Sequence, residues 1–209
     1  MHKKVIVLTL NKVFFNSLKS GFLKDDYEIV RGKGLELISD LNIMKKSIRL
    51  FKNTAGIRKH YTKFVTENGT PLAFIIDFPL DLKLGENDPD NDKLLKTFII
   101  ADIILSKSAG FSWYETNIFL LGSKRDSHIL NSYAKNPCVY MENVLTQNEN
   151  LNRLIQFYID DPDACSNIFK IEPIIMGDAK QDAANIDHIT EMLRKIYNRR
   201  LQQERTGQV

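Results

Sequence analysis

Short, almost wholly apolar segments alternate along this chain with longer segments whose apolar residues recur every third or fourth position. The short segments predict strands buried on both faces of a sheet, and the longer ones predict amphipathic helices that cover those faces. Because parallel strands need helical crossovers, this alternation predicts a doubly wound, five-stranded parallel α/β sheet in the order 2-1-3-4-5. The predicted strands are residues 5–10, 27–30, 72–77, 117–122 and 138–141.

The first predicted helix follows Asn11, a residue type that caps helix N-termini. Its apolar residues recur at helical spacing, which predicts that they share one buried face. They are Val13, Phe14, Leu18, Phe22 and Leu23. The other helical segments are predicted at about residues 35–67, 93–108, 126–134 and 150–159.

The last fifty or so residues differ in character from the rest. A short apolar run at 168–176 is interrupted by Pro173 and followed by a helical pattern from about 181 to 204. We therefore predict one domain over residues 1–160 and a C-terminal extension over residues 161–209 that ends in an amphipathic helix. Three interpretations of this helix are open: its apolar stripe packs on the domain, the stripe pairs with a second copy as a homodimer, or the helix leads into bound nucleic acid. Basic residues accompany the stripe: Arg194, Lys195, Arg199, Arg200 and Arg205.

The charge balance argues against nucleic acid as the partner. The chain of 209 residues has 29 Lys and Arg against 26 Asp and Glu, which leaves a net charge of only +3. Cys138 and Cys165 lack the spacing of a zinc or redox site, and neither the four histidines nor the acidic run at 88–92 predicts a metal site. No apolar run approaches the length of a membrane span, so we expect a cytoplasmic protein.

Polar residues stand where three neighbouring strands of the predicted sheet end. Asn11 follows the first strand, Asp77 ends the third and Ser123 follows the fourth. In the order 2-1-3-4-5 these carboxyl ends meet at the crevice where ligands bind in doubly wound sheets. Asp77 also has a simpler reading, because a strand-end aspartate can cap the loop that follows it.

The segment Ile75-Ile-Asp77-Phe-Pro79 resembles the end of the third strand in response-regulator receiver domains, where an aspartate accepts a phosphoryl group. The resemblance covers about residues 3–160 and includes Ser123 at the end of the fourth strand and Tyr140 in the fifth. It implies a flavodoxin-like fold, with Asp77 as the candidate phospho-acceptor and with Ser123 and Tyr140 as candidate switch residues.

The chain departs from the receiver pattern at the positions that make phosphotransfer work. Receivers hold Mg²⁺ with an acidic pair after the first strand, where this chain has Leu10-Asn11-Lys12. They carry a lysine after the fifth strand, where the predicted residues are Glu142, Asn143 and Val144. We expect a crevice formed by Asn11, Lys12 and Asn143 around Asp77. Lys12 could supply the positive charge that the metal gives elsewhere.

These departures predict a degenerate receiver, or pseudo-receiver, that is not an enzyme. It would act through protein–protein contacts with a histidine kinase or a downstream signalling protein, without a cofactor. Mg²⁺ would bind only if Asp77 is phosphorylated. The alternatives are a conventional phospho-accepting regulator that uses Asp77, and a small flavodoxin-like hydrolase or transferase. For an enzyme, the sequence offers no evident general base near Ser123.

Overall fold

A computed structural model describes the parts of the chain that form the sheet and three of its helices. The described residues are 3–9, 12–22, 27–31, 71–77, 116–135, 156, 160–161 and 169–207. They contain the carboxyl ends of the central strands, which is where the sequence predicts the functional crevice.

Five parallel strands form one sheet in the order β2-β1-β3-β4-β5, which confirms the predicted topology and the flavodoxin-like α/β class. Their β-branched and aliphatic side chains suit strands that are covered on both faces. The strands are β1 (Lys4–Leu8), β2 (Glu28–Arg31), β3 (Ala73–Asp77), β4 (Thr116–Ser123) and β5 (Phe169–Met176).

The prediction for the fifth strand was wrong. All eight residues of β5 pair with β4, from Thr116↔Phe169 to Ser123↔Met176. The other side of β4 pairs with β3. Residues 138–141 lie outside the described part of the chain. Because Pro173 interrupts the apolar run, the sequence pattern did not indicate this strand. A proline is nevertheless tolerated in an outer strand, because one side of such a strand needs no hydrogen-bonding neighbour.

Three helices are described in addition to a short 3-10 helix at Lys124–Asp126: α1 (Lys12–Phe22), α2 (Ser127–Lys135) and α3 (Ala179–Thr206). The predicted segments 35–67 and 93–108 lie outside the described residues. Of the predicted helix 150–159 only Gln156 is described, and it is helical.

The buried face of α1 is narrower than predicted. Phe14, Leu18 and Phe22 are buried, at intervals of four residues that keep them on one side of the helix. Val13 is 76% exposed, which contradicts its predicted place in the apolar face. One residue corresponds to a rotation of about 100° in an α-helix, so Val13 is turned away from the face that its neighbour Phe14 occupies.

The apolar stripe of α3 packs on the sheet. Ile189, Leu193 and Ile196 are buried in the same cluster as the α1 side chains and the inner side chains of the strands. The two helices approach closely, since a Cβ atom at Gly21 of α1 would lie 3.0 Å from Ile186 of α3. Of the three interpretations of the stripe, packing on the domain is the one observed. A homodimer through α3 stays a prediction.

Two elements of the predicted extension therefore share the core with the first strands. β5 completes the sheet, and α3 covers one of its faces beside α1. The boundary at residue 160 itself stays a prediction, because few residues around it are described. α3 ends where Gly207 adopts a φ of 65°, in the left-handed region that favours glycine.

Candidate functional site

The carboxyl ends of β1, β3 and β4 lie side by side at one edge of the sheet. Leu8 pairs with Ile76, and the next residue of β3, Asp77, pairs with Leu121. In a doubly wound sheet of this order the direction of winding reverses between β1 and β3. The structure thus places the backbone of Asp77 at the topological switch point. Its side chain lies outside the described part of the chain.

Ser123 ends β4, two residues beyond the partner of Asp77. It is exposed, and its backbone pairs with Met176, the last residue of β5. On the other side of the switch point, Thr9 follows β1 directly and is only 4% exposed. An exposed hydroxyl and a buried one therefore belong to the strands on either side of β3.

Gly122 lies directly before Ser123 in β4 and packs closely against α2. A Cβ atom at this position would lie 2.8 Å from Cδ1 of Leu130, a buried residue of α2. Real contacts of this kind are essentially never so short, so a side chain at residue 122 would force the Leu130 side chain to shift. α2 thus packs closely on β4 beside Ser123, the last residue of that strand.

Lys12 is exposed at the first position of α1, immediately beyond the residues that follow β1. Asn11 lies outside the described residues. A contact between the Lys12 ammonium and the Asp77 carboxylate stays a prediction, since the structure describes only the backbone of Asp77.

The residues predicted from the end of strand five change with the correction of that strand. β5 ends at Met176 and is followed by Gly177 and Asp178, so Glu142, Asn143 and Val144 do not follow the strand beside β4. β5 has the sequence FKIEPIIM and contains no tyrosine, so Tyr140 is not an aromatic residue of that strand. Tyr140 and Asn143 themselves lie outside the described residues.

The departure from the receiver pattern persists in the corrected register. The residue at the end of β5 is a methionine, and the next lysine, Lys180, belongs to the first turn of α3. A lysine at the end of a strand has its backbone at the crevice. The position of a lysine in a helix depends instead on where that helix lies. Neither Met176 nor Gly177 can supply the missing charge.

An open cleft of about 680 Å³ lies at the carboxyl ends of β4 and β5. Two lysines line it, Lys124 from the 3-10 helix after Ser123 and Lys180 from α3. The remaining lining residues come from the end of β5 and the first turns of α3: Ile175, Met176, Gly177, Asp178, Gln181 and Ala184. None of these residues is among the site residues predicted from the sequence.

Two aspartate side chains accept hydrogen bonds from backbone N–H groups at the start of α3 and just before it. The Gln181 N–H donates to Oδ1 of Asp178, the N-cap residue, at 2.9 Å. The Gly177 N–H donates to Oδ1 of Asp182 at 3.0 Å. Carboxylates at this end also interact favourably with the positive end of the helix dipole. The helix was predicted to begin at about residue 181; an aspartate just before it, Asp178, is a sequence signal that could have placed the start earlier, since aspartate is a preferred N-cap.

A second cavity, of about 510 Å³, lies near the amino ends of β4 and β5. Its lining includes Asn117, Lys135, Lys170 and Arg199, with Met192 and Ile196 of α3 as apolar members. Glu172, another lining residue, accepts a hydrogen bond from the ring of His188 of α3, with 2.5 Å between Oε1 and Nε2. This contact ties the helix to the outer strand.

Within the described ranges, no group of three or more His, Cys, Asp or Glu residues could hold a metal ion. No helix among the same residues is both long and apolar enough to cross a membrane. Comparisons with protein families, with curated proteins and with solved structures found no match to the chain. The resemblance to receiver domains therefore stays an expectation from the sequence.

Proposed function

We propose that this chain is a non-enzymatic, receiver-like signalling module that acts through protein–protein contacts. The observation that supports the proposal best is the position of Asp77. It ends the central strand of a 2-1-3-4-5 sheet at the topological switch point, and Ser123 ends the neighbouring strand. That is the arrangement from which receiver domains take their phospho-acceptor and one of their switch residues.

We also propose that the module is a pseudo-receiver, which lacks ordinary metal-dependent phosphorylation. Transfer of a phosphoryl group to a carboxylate requires the charge on the phosphoryl oxygens to be neutralised, and Mg²⁺ needs oxygen ligands to be held there. Thr9-Leu10-Asn11-Lys12 provides no carboxylate after β1, and Met176-Gly177 provides no lysine at the end of β5. Both sources of positive charge that assist the reaction are therefore missing from their usual positions.

A protein partner, such as a histidine kinase or a downstream signalling protein, would contact the edge of the sheet around Ser123. In a working receiver, phosphorylation shifts a pre-existing equilibrium between two arrangements of that edge. A pseudo-receiver would present one arrangement permanently. We also propose that the module works in the cytoplasm, the compartment expected from the sequence.

The proposal is tested by offering the protein a phosphoryl donor. Amide NMR spectra would be recorded with Mg²⁺ and acetyl phosphate, and separately with Mg²⁺ and beryllofluoride, for the wild type and for Asp77→Asn. Asp187→Asn is the matched control, because Asp187 is an exposed aspartate of α3 far along the chain from the crevice residues. We expect no Mg²⁺-dependent change in any of the three proteins.

A conventional phospho-accepting regulator is the outcome that would overturn the pseudo-receiver assignment. In that case Mg²⁺ and beryllofluoride would shift amide signals of β3 and β4 in the wild type and in Asp187→Asn, and Asp77→Asn would lose the shifts. Intact-mass measurement after acetyl phosphate treatment distinguishes covalent phosphorylation from reversible binding, since only the former adds a phosphoryl group that survives removal of the donor.

A further inference from the structure

We draw no further inference here: the strongest candidate, the cleft at the carboxyl ends of β4 and β5 that Lys124 and Lys180 line, rests on a helix N-terminus and two exposed lysines, and no second observation in the described part of the chain points to a ligand.

Discussion

Arg200 near the end of α3 is hydrogen bonded to the backbone of Pro71, two residues before β3. Its Nη1 donates to the Pro71 carbonyl at 2.9 Å, and its Nη2 donates to the Leu72 carbonyl at 3.3 Å. The residue is 3% exposed. A guanidinium is buried at low cost only where several acceptors replace water. These bonds join α3 to the two residues that lead directly into β3, the central strand.

Replacement of Arg200 by alanine should destabilise the protein by about 2–4 kcal/mol, because it leaves buried carbonyl groups without a charged donor and opens a void. Urea unfolding followed by circular dichroism measures this change. Arg205→Ala is the matched control, since Arg205 lies on the same helix and is exposed. It should cost no more than about 0.5 kcal/mol. Equal effects of the two substitutions would contradict the structural role of Arg200.

Gly122→Ala should destabilise the fold by about 1–3 kcal/mol, since the new methyl group would overlap Leu130 in a packed interior. Leu130→Ala alone should also be destabilising, by about 2–5 kcal/mol, because it removes a buried side chain. In the Leu130→Ala background the cost of Gly122→Ala should nearly vanish. A double-mutant cycle by urea unfolding measures this coupling. The same cost in both backgrounds would show that the two positions do not meet.

Loss of the N-cap carboxylate should weaken the start of α3. Asp178→Ala removes the acceptor for the Gln181 N–H and should cost about 1 kcal/mol. Asp178→Ser keeps an oxygen at the N-cap and should restore most of the loss. Asp187→Ala, an exposed substitution within the same helix, serves as the control. Thermal and urea unfolding of the four proteins provide the comparison, and a serine variant as unstable as the alanine variant would contradict the capping role.

The pair Glu191 and Lys195 gives a prediction about pH. The Lys195 ammonium lies 2.7 Å from Glu191 Oε1, and its hydrogen bond and charge hold the pKa of that carboxyl below its ordinary value of 4.5. A carboxyl whose pKa is lowered on folding contributes stability above its unfolded pKa, and that contribution is lost as the pH falls through the folded value.

Lys195→Gln should therefore raise the pKa of Glu191 towards 4.5, as measured by NMR titration of the side-chain carboxyl. Lys180→Gln, a change of the same kind in the first turn of α3, should leave it where it is. The effect on stability should be slight because the pair is exposed and screened by solvent. An unchanged Glu191 pKa in Lys195→Gln would show that the ion pair is not populated in solution.

The order of the sheet could be predicted because the first four strands are short segments that contain apolar residues, separated by segments long enough for helical crossovers. Residues 72–77 illustrate this well. Five apolar residues followed by one aspartate predicted both a buried central strand and a polar carboxyl end, and the structure has β3 at Ala73–Asp77. The candidate site followed from the same pattern, since strand ends in a parallel sheet share an edge.

The fifth strand could not be identified in this way. The segment 138–141 and the segment 169–176 both have strand character, and local sequence does not say which of them pairs with β4. Pro173 made the true strand the weaker candidate, although a proline is harmful only where its missing N–H would have met a neighbour. The choice depends on which strand lies at the outside of the sheet, and that is a property of the complete fold.

The sequence by itself determined the fold class, the strand order and the place of Asp77 at the switch point, because hydrophobic periodicity and chain connectivity restrict a parallel sheet to few arrangements. Only the tertiary structure decided that β5 completes the sheet. It also decided that Arg200, one of several basic residues along α3, is buried against Pro71, and that Val13 is exposed to solvent. Whether a single residue is buried depends on what packs against it from distant parts of the chain, and the local sequence does not predict that contact.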